Sequence, residues 1–313
     1  MKVVFMGTPD FAVSSLDAIC QAGYNVVGVV TVPDRQTGRG LKVTYSPVKQ
    51  YALDHQLPLL QPEKLRDEQF QATLRSWDAD IFVVVAFRML PQSVWAMPSM
   101  GTFNLHASLL PQYRGAAPIN WAIINGEQET GVTTFMLNER IDEGGILLQR
   151  TTPITPDDNA ETLHDRLASM GSQLVVETLH GLQQGTLHPQ PQPIVTELNL
   201  APKIFKPDCA INWNQQGHRV VDFIRGLSPY PAATMLMEDD KGQEQSFKVF
   251  QASFQSDANS AVGQLVTEKK SVLKIGVKDG FLHVLSLQLS GKKRITAEEF
   301  LRGHDVKNWR IIV

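Results

Sequence analysis

Apolar positions in the first half of the chain alternate between strand-like and helix-like runs. Lys2–Met6 is a short apolar strand that ends at Gly7, and Phe11–Ala22 has helical spacing with Asp10 placed to cap it. Asn25–Thr31 is rich in β-branched residues and reads as a strand. Ser46 can cap a helix whose first position is Pro47. Leu57–Leu60 reads as a short strand, and Pro58, which cannot donate to a ladder, places it at a sheet edge. A helix follows over Asp67–Trp77. Asp80–Ala86 is apolar after its first residue, as expected at the centre of a parallel sheet. Gly101–His106 and Gly131–Leu137 add two more strands. The order predicts an α/β fold with an open, mostly parallel sheet and helices on both faces.

A long helix is marked by Asp158 and Glu161 as a capping box. Leu163, Leu167, Met170 and Leu174 form its apolar stripe, which runs to about Gly181. The next stretch, QQGTLHPQPQPIVTELNLAPK, is polar and proline-bearing without a period, and reads as a linker. Beyond it the pattern changes. A short helix over Gln216–Gly226 precedes alternating runs at Ser246–Phe250, Gly263–Val266, Val272–Val277 and Phe281–Leu287. Gly242, Gly263 and Gly280 punctuate them. This predicts a smaller antiparallel β domain, such as a barrel.

Composition agrees with two domains. The chain has 313 residues, 42% of them hydrophobic and 19% charged, which excludes a disordered or collagen-like chain. Its two cysteines, Cys20 and Cys209, are far apart and form no CxxC pair. The histidines at 55, 164, 180, 188, 218, 283 and 304 show no ligand spacing, so no metal is expected. No apolar stretch approaches the roughly 18–20 residues of a membrane span, and the expected location is the cytoplasm. Net charge is −3 but uneven: residues 206–313 carry 15 Lys+Arg against 12 Asp+Glu, and residues 1–205 carry 14 against 20. A mildly basic second part can approach a polyanion, although ordinary surface sampling gives the same balance.

Candidate chemistry concentrates in a few segments. In GTFNLH, strand alternation points Asn104 and His106 the same way, at the carboxyl end where α/β sheets hold ligands. An amide can stabilise a developing oxyanion and an imidazole can donate or shuttle a proton, although both side chains also suit plain loop bracing. The loop around Arg114 and Gly115 lets a ligand approach the backbone. Asp142, before Gly144 and Gly145, can tune an imidazole if the fold brings it near. The long loop VPDRQTGRGLKVTYSPVK carries Arg35, Arg39, Lys42 and Lys49, which suit phosphate contact or a solvated surface. The first strand is followed by GTPDF rather than GxGxxG, and no GxxxxGK[ST], HExxH or GxSxG occurs.

Several of these segments, taken together, resemble the methionyl-tRNA formyltransferases. The matching stretches are GTPDFA (7–12), PDRQTGRG (33–40), SPVK (46–49), NLHASLLPQYRGAAPI (104–119), ETGVTTFMLNERIDEGGILL (129–148), INW (211–213) and IRGLSPYPAA (224–233). The resemblance runs in order over nearly the whole chain. It implies a Rossmann-like catalytic domain over residues 1–189, a linker over 190–207 and an OB-like tRNA-binding domain over 208–313. It also implies transfer of the formyl group of 10-formyltetrahydrofolate to the α-amine of methionine on initiator tRNA. A monomer is the default expectation, since no apolar helical seam in the sequence suggests an oligomer interface. Carried over by motif, Asn104, His106 and Asp142 are the catalytic set, with Asp142 orienting His106. Ser108, Leu109, Leu110 and Pro111 match the folate-binding segment, joined by Arg88, Met89 and Leu90 after the central strand. AFRMLP places Arg88 where many relatives have glycine, so it can narrow the pterin cleft or meet the folate's acidic tail. Ala107 replaces the commoner glycine of HGS. Arg35, Arg39, Lys42 and Lys49 are expected at the tRNA acceptor end. Lys292, Lys293 and Arg294, with Lys269, Lys270 and Lys274, are expected at its body. The competing readings are a sugar-nucleotide N-formyltransferase, a non-catalytic RNA-binding protein and a nicotinamide-dependent oxidoreductase. The basic PDRQTGRG loop, the intact Asn104, His106 and Asp142, and the missing glycine fingerprint weigh against them in turn.

Overall fold

The apolar run Ile81–Val85 lies at the middle of a seven-stranded sheet, with every residue buried. This computed structural model describes residues 1–37, 42–268 and 271–312. From edge to edge the strands are Ile146–Pro153, Glu129–Met136, Thr102–His106, Ile81–Val85, Lys2–Gly7, Asn25–Val30 and Leu59–Leu60. Those from Thr102–His106 to Leu59–Leu60 run parallel, and Glu129–Met136 is antiparallel to Thr102–His106. Chain order reverses between Lys2–Gly7 and Ile81–Val85. That reversal is the switch point beyond whose carboxyl ends open α/β sheets place ligands. Val3, Val4, Phe5 and Met6 are fully buried, so sheet and helices fix this end of the strands as one packed layer.

Local chemistry explains most element ends. Ser46 Oγ accepts from the Lys49 N–H at 3.1 Å ahead of Pro47–Asp54, and Asp67 caps Glu68–Ser76 through the Phe70 N–H at 2.8 Å. Leu59–Leu60 is the edge strand that Pro58 requires. Two caps differ from expectation. Asp10 lies inside the first turn of Asp10–Gln21, where Pro9 occupies the cap position without a side-chain bond. The long helix Ala160–Gln183 is capped by Asn159, whose Oδ1 accepts from the Glu161 and Thr162 N–H groups, while Asp158 is turned back onto Thr155. The Ile146–Pro153 strand, which the sequence pattern did not announce, adds the outer edge.

The chain clusters into two units. One comprises Met1–Gly115, Glu129–Thr152 and His164–Leu200, and the other Ala116–Gln128, Pro153–Leu163 and Ala201–Val313. Within the second, the strands Leu265–Glu268, Val272–Val277, Gly280–Leu289, Glu244–Ser256, Ala233–Glu238 and Arg310–Ile312 follow one another across an antiparallel sheet. Among the described residues its two edge strands do not pair, so the barrel expected from the pattern is a half-barrel. Helix Pro118–Ile124 joins this unit: Ile124 shares the core that holds Trp213, Phe247 and Ile224, and Asn120 donates to the Gly226 carbonyl at 2.7 Å. Its apolar residues read as an ordinary helix, and nothing in their pattern marks the change of unit.

Candidate active site

Asn104 and His106 stand on one face of the Thr102–His106 strand, opposite Phe135 and Thr133 of the antiparallel neighbour. The intervening Phe103 and Leu105 are buried on the other face, so the polar pair faces the ligand end because its neighbours must face the core. Asn104 is half-buried and its amide makes no hydrogen bond among the described residues. His106 is 8% exposed, and its Nε2 lies 2.8 Å from the Tyr113 carbonyl. A carbonyl can only accept, so Nε2 carries the proton, and Nδ1 is left without a partner among the described residues.

The turn after the strand is held from within. Ser108 is fully buried: its Oγ donates to the Gln112 carbonyl at 2.7 Å, and its own carbonyl accepts from Thr133 Oγ1 at 2.6 Å. Thr133 Oγ1 also accepts from the Leu110 N–H, and Gln149 Nε2 donates to the Leu110 carbonyl. The Leu110–Pro111 peptide is cis. The Ser108 hydroxyl and the Leu110 backbone are therefore occupied in shaping the turn, and Leu109 is its half-buried apolar side chain.

Asp142 arrives from a different loop. Its Oδ2 accepts from the Gly115 N–H at 3.0 Å, and Oδ1 has no partner among the described residues. Two residues after it, a Cβ on Gly144 would lie 1.6 Å from the Met136 carbonyl, so only glycine lets this loop close against the strand end. Asp142 and His106 make no hydrogen bond to each other among the described residues. The Tyr113 carbonyl occupies His106 Nε2, and Asp142 is tied two residues further on, so the segment 113–115 joins the two side chains indirectly. Both Tyr113 (φ +60°) and Asp142 (φ +54°) are in the left-handed region, a strain of about 1–3 kcal/mol each that surrounding bonds must offset. Those bonds come from the segment read as a linker. Gln192 Nε2 donates to the carbonyls of Asp142 (2.7 Å) and Gly144 (3.0 Å), and Tyr113 N donates to the Asn199 carbonyl at 2.6 Å. Residues 190–200 are thus docked on the first unit. Proline-spaced glutamines carry no periodic signal, which is why pattern reading passes over Gln192.

The segment after the central strand is open. Among the described residues the backbone N–H and C=O groups of Phe87, Arg88, Met89 and Leu90 make no hydrogen bond. Met89 is 76% exposed and Leu90 is buried. Arg88 does not reach outward as its charge suggested. Its guanidinium donates to the carbonyls of Pro62 and Glu63 at 2.7 and 3.0 Å, and burial, followed by the Arg35 charge, pushes its pKa down. It buttresses that loop instead.

The basic candidates divide. Lys49 is 9% exposed, paired with Asp34 at 2.6 Å and seated over the Tyr45 ring, so it is committed internally and is withdrawn as a phosphate contact. Arg35 is exposed. Arg39, Lys269 and Lys270 lie outside the described residues, as does the Lys42 side chain. In the second unit Lys292 and Lys293 are exposed without side-chain partners among the described residues. Arg294 stacks on Phe250 and donates to Ser286, and Lys274 is paired with Glu268.

Similarity to known proteins accords with this layout. Residues 1–179 match the formyl transferase family and residues 203–305 match the formyl transferase C-terminal domain. A methionyl-tRNA formyltransferase from Bacteroides fragilis is 56% identical over 307 residues, covering 97% of this chain and 95% of that protein. Its counterpart from Flavobacterium johnsoniae is 50% identical, with 97% and 96% covered. Among solved structures, WlaRD, a sugar 3N-formyl transferase crystallised with dTDP and 5-N-formyl-THF, is 18% identical with a TM-score of 0.66, covering 94% of this chain and 99% of that one. At that identity it shows the fold alone. The chain belongs to the formyltransferase family, within the group of the methionyl-tRNA formyltransferases.

Proposed function

We propose that the site transfers the formyl group of 10-formyltetrahydrofolate to the α-amine of methionyl initiator tRNA, for translation initiation. The observation that carries the assignment is one strand end presenting an unpartnered Asn104 amide beside an imidazole held through Nε2, with a half-free carboxylate at Asp142. The identity of about half or more with methionyl-tRNA formyltransferases over nearly the full chain supports the acceptor.

The residues present fit the folate. The open backbone edge of Phe87–Leu90 offers donors and acceptors to a heterocycle, with Leu109 and Met89 as apolar flanks. When bound, 10-formyltetrahydrofolate supplies a formyl group on nitrogen that is activated toward amines. Asn104 donates its amide N–H toward the formyl oxygen, where negative charge develops. His106, when protonated on Nδ1, donates a second hydrogen bond there, and each well-placed donor contributes about 3–4 kcal/mol. The Tyr113 carbonyl fixes the ring by accepting from Nε2, the task first expected of Asp142. Asp142 Oδ1 takes the proton released by the attacking amine, directly or through water, and the same proton passes to N10 as its bond to the formyl carbon breaks, so that tetrahydrofolate leaves. No residue forms a covalent bond to substrate in this scheme. Lys292 and Lys293, with Arg35, supply phosphate contacts to the tRNA. No helix among the described residues is long and apolar enough to cross a membrane. We assign the enzyme to the cytoplasm, as a monomer; no apolar helical seam in the sequence suggests a subunit interface.

The test is formyl transfer from 10-formyltetrahydrofolate to charged initiator tRNA, with an amino-sugar nucleotide as parallel acceptor. Transfer to tRNA alone is expected. Transfer only to the sugar would keep the chemistry and overturn the acceptor.

A further inference from the structure

Residues 188–200 run over the first unit with every side chain exposed except one, Gln192. That side chain is fully engaged. Its Oε1 accepts from Arg114 Nε at 3.2 Å and Nη2 at 2.6 Å, and its Nε2 donates to the Asp142 and Gly144 carbonyls. The amide has only one workable orientation. Flipped, its NH2 would face guanidinium donors and its oxygen would face two carbonyls. Arg114 is also paired with Glu143 at 3.1 Å. The two loops of the site therefore meet through this amide as well as through the Arg114–Glu143 pair and the Asp142–Gly115 bond. Residues 113, 114 and 115 bind His106, Gln192 with Glu143, and Asp142 respectively.

We propose that Gln192 is a positioning residue for formyl transfer, acting by holding the left-handed Asp142 backbone against the Tyr113–Gly115 segment. This rests on the reading above that Asp142 takes part in the chemistry. Asp142 has φ +54° and, among the described residues, its side chain makes one hydrogen bond, to Gly115. Its carbonyl would be free to turn, and Oδ1 with it, without the donor from Gln192. A small misplacement of a reacting group costs rate while leaving substrate affinity nearly intact. Truncating Gln192 should therefore lower kcat far more than it raises KM.

The experiment measures kcat, both KM values and Tm for Gln192→Ala, Gln192→Glu, Asp142→Asn and the Gln192→Ala/Asp142→Asn double variant. For Gln192→Ala, kcat is expected to fall about 10- to 100-fold, with each KM within about twofold and Tm within a few degrees. Gln192→Glu keeps an acceptor for Arg114 but loses both donors, and should be as slow. The double variant should be no slower than Asp142→Asn alone, because both changes act on one group. A Gln192→Ala enzyme with full kcat, a fully active Gln192→Glu, or losses that multiply in the double variant would overturn the proposal while leaving Asp142 in place. An Asp142→Asn enzyme with full kcat would instead overturn the reading of the site on which the proposal stands.

Discussion

The site is built in two ways, and the two halves differ in what holds them. Asn104 and His106 stand on a strand whose backbone is paired on both sides, and their positions follow from two-residue alternation on a buried sheet. Asp142 stands on a loop, in a left-handed backbone, and is placed by contacts from residues 27 and 50 positions away. The backbone of the strand half costs nothing beyond the fold itself, and only the orientation of the His106 ring draws on the left-handed Tyr113. The loop half stores strain and depends on a few named bonds, so it is the half at which a single change outside the reacting groups can alter rate.

The first way to sharpen that contrast carries the largest effect. Asn104→Ala should lower kcat by about 10²–10³ with the fold intact, since the amide has no partner among the described residues to lose. Circular dichroism and melting beside steady-state kinetics check both parts. On the loop, Asp142→Gly and Asp142→Ala both remove the carboxylate and should lose activity by about 10². They should part in stability, because glycine accepts the positive φ and alanine does not, a difference of about 1 kcal/mol that denaturant melts resolve. Equal stability would mean that the strain at Asp142 is not real.

Charge tests come next. Reversing Lys292 and Lys293 together should weaken tRNA binding and make the log–log salt slope shallower by about 2, read by filter binding at several salt concentrations. Lys49→Ala should leave that slope unchanged, because its ammonium is already paired with Asp34. The smallest effect concerns that pair. Hydrogen bonds from Gln61 and Lys49 hold Asp34 below its ordinary pKa. A depressed folded pKa means stability that is present above the ordinary carboxylate value and is lost as pH falls through the lowered one. The Tm deficit of Asp34→Asn should therefore appear at neutral pH and vanish in strong acid.

Legibility in the sequence followed the same divide. The alternation of apolar runs disclosed the parallel sheet, and Phe103 and Leu105 disclosed which way Asn104 and His106 face. The Ser46 cap was readable because its chemistry is local. What holds the loop half, and what fixes the His106 ring, is not local. Tyr113 acts through its carbonyl, Gly115 through its N–H, and neither backbone atom has a sequence signature. Gln192 sits among prolines in a stretch without period. Arg88 and Lys49 were misread for a related reason: charge can be seen in a sequence, but the carbonyls of Pro62 and Glu63 and the carboxylate of Asp34 that consume it cannot. The excursion of 116–128 into the second unit escaped because one apolar helix face resembles another until its partner is known.

The central claim is that the strand-borne pair does chemistry rather than binding. The direct measurement is single-turnover formyl transfer by His106→Ala, in rapid quench with enzyme in excess, alongside Kd values for folate and charged tRNA. The account predicts that the transfer step slows by about 10³ while both Kd values stay within about twofold of wild type. An unchanged transfer step, or a loss explained wholly by weaker binding, would contradict it.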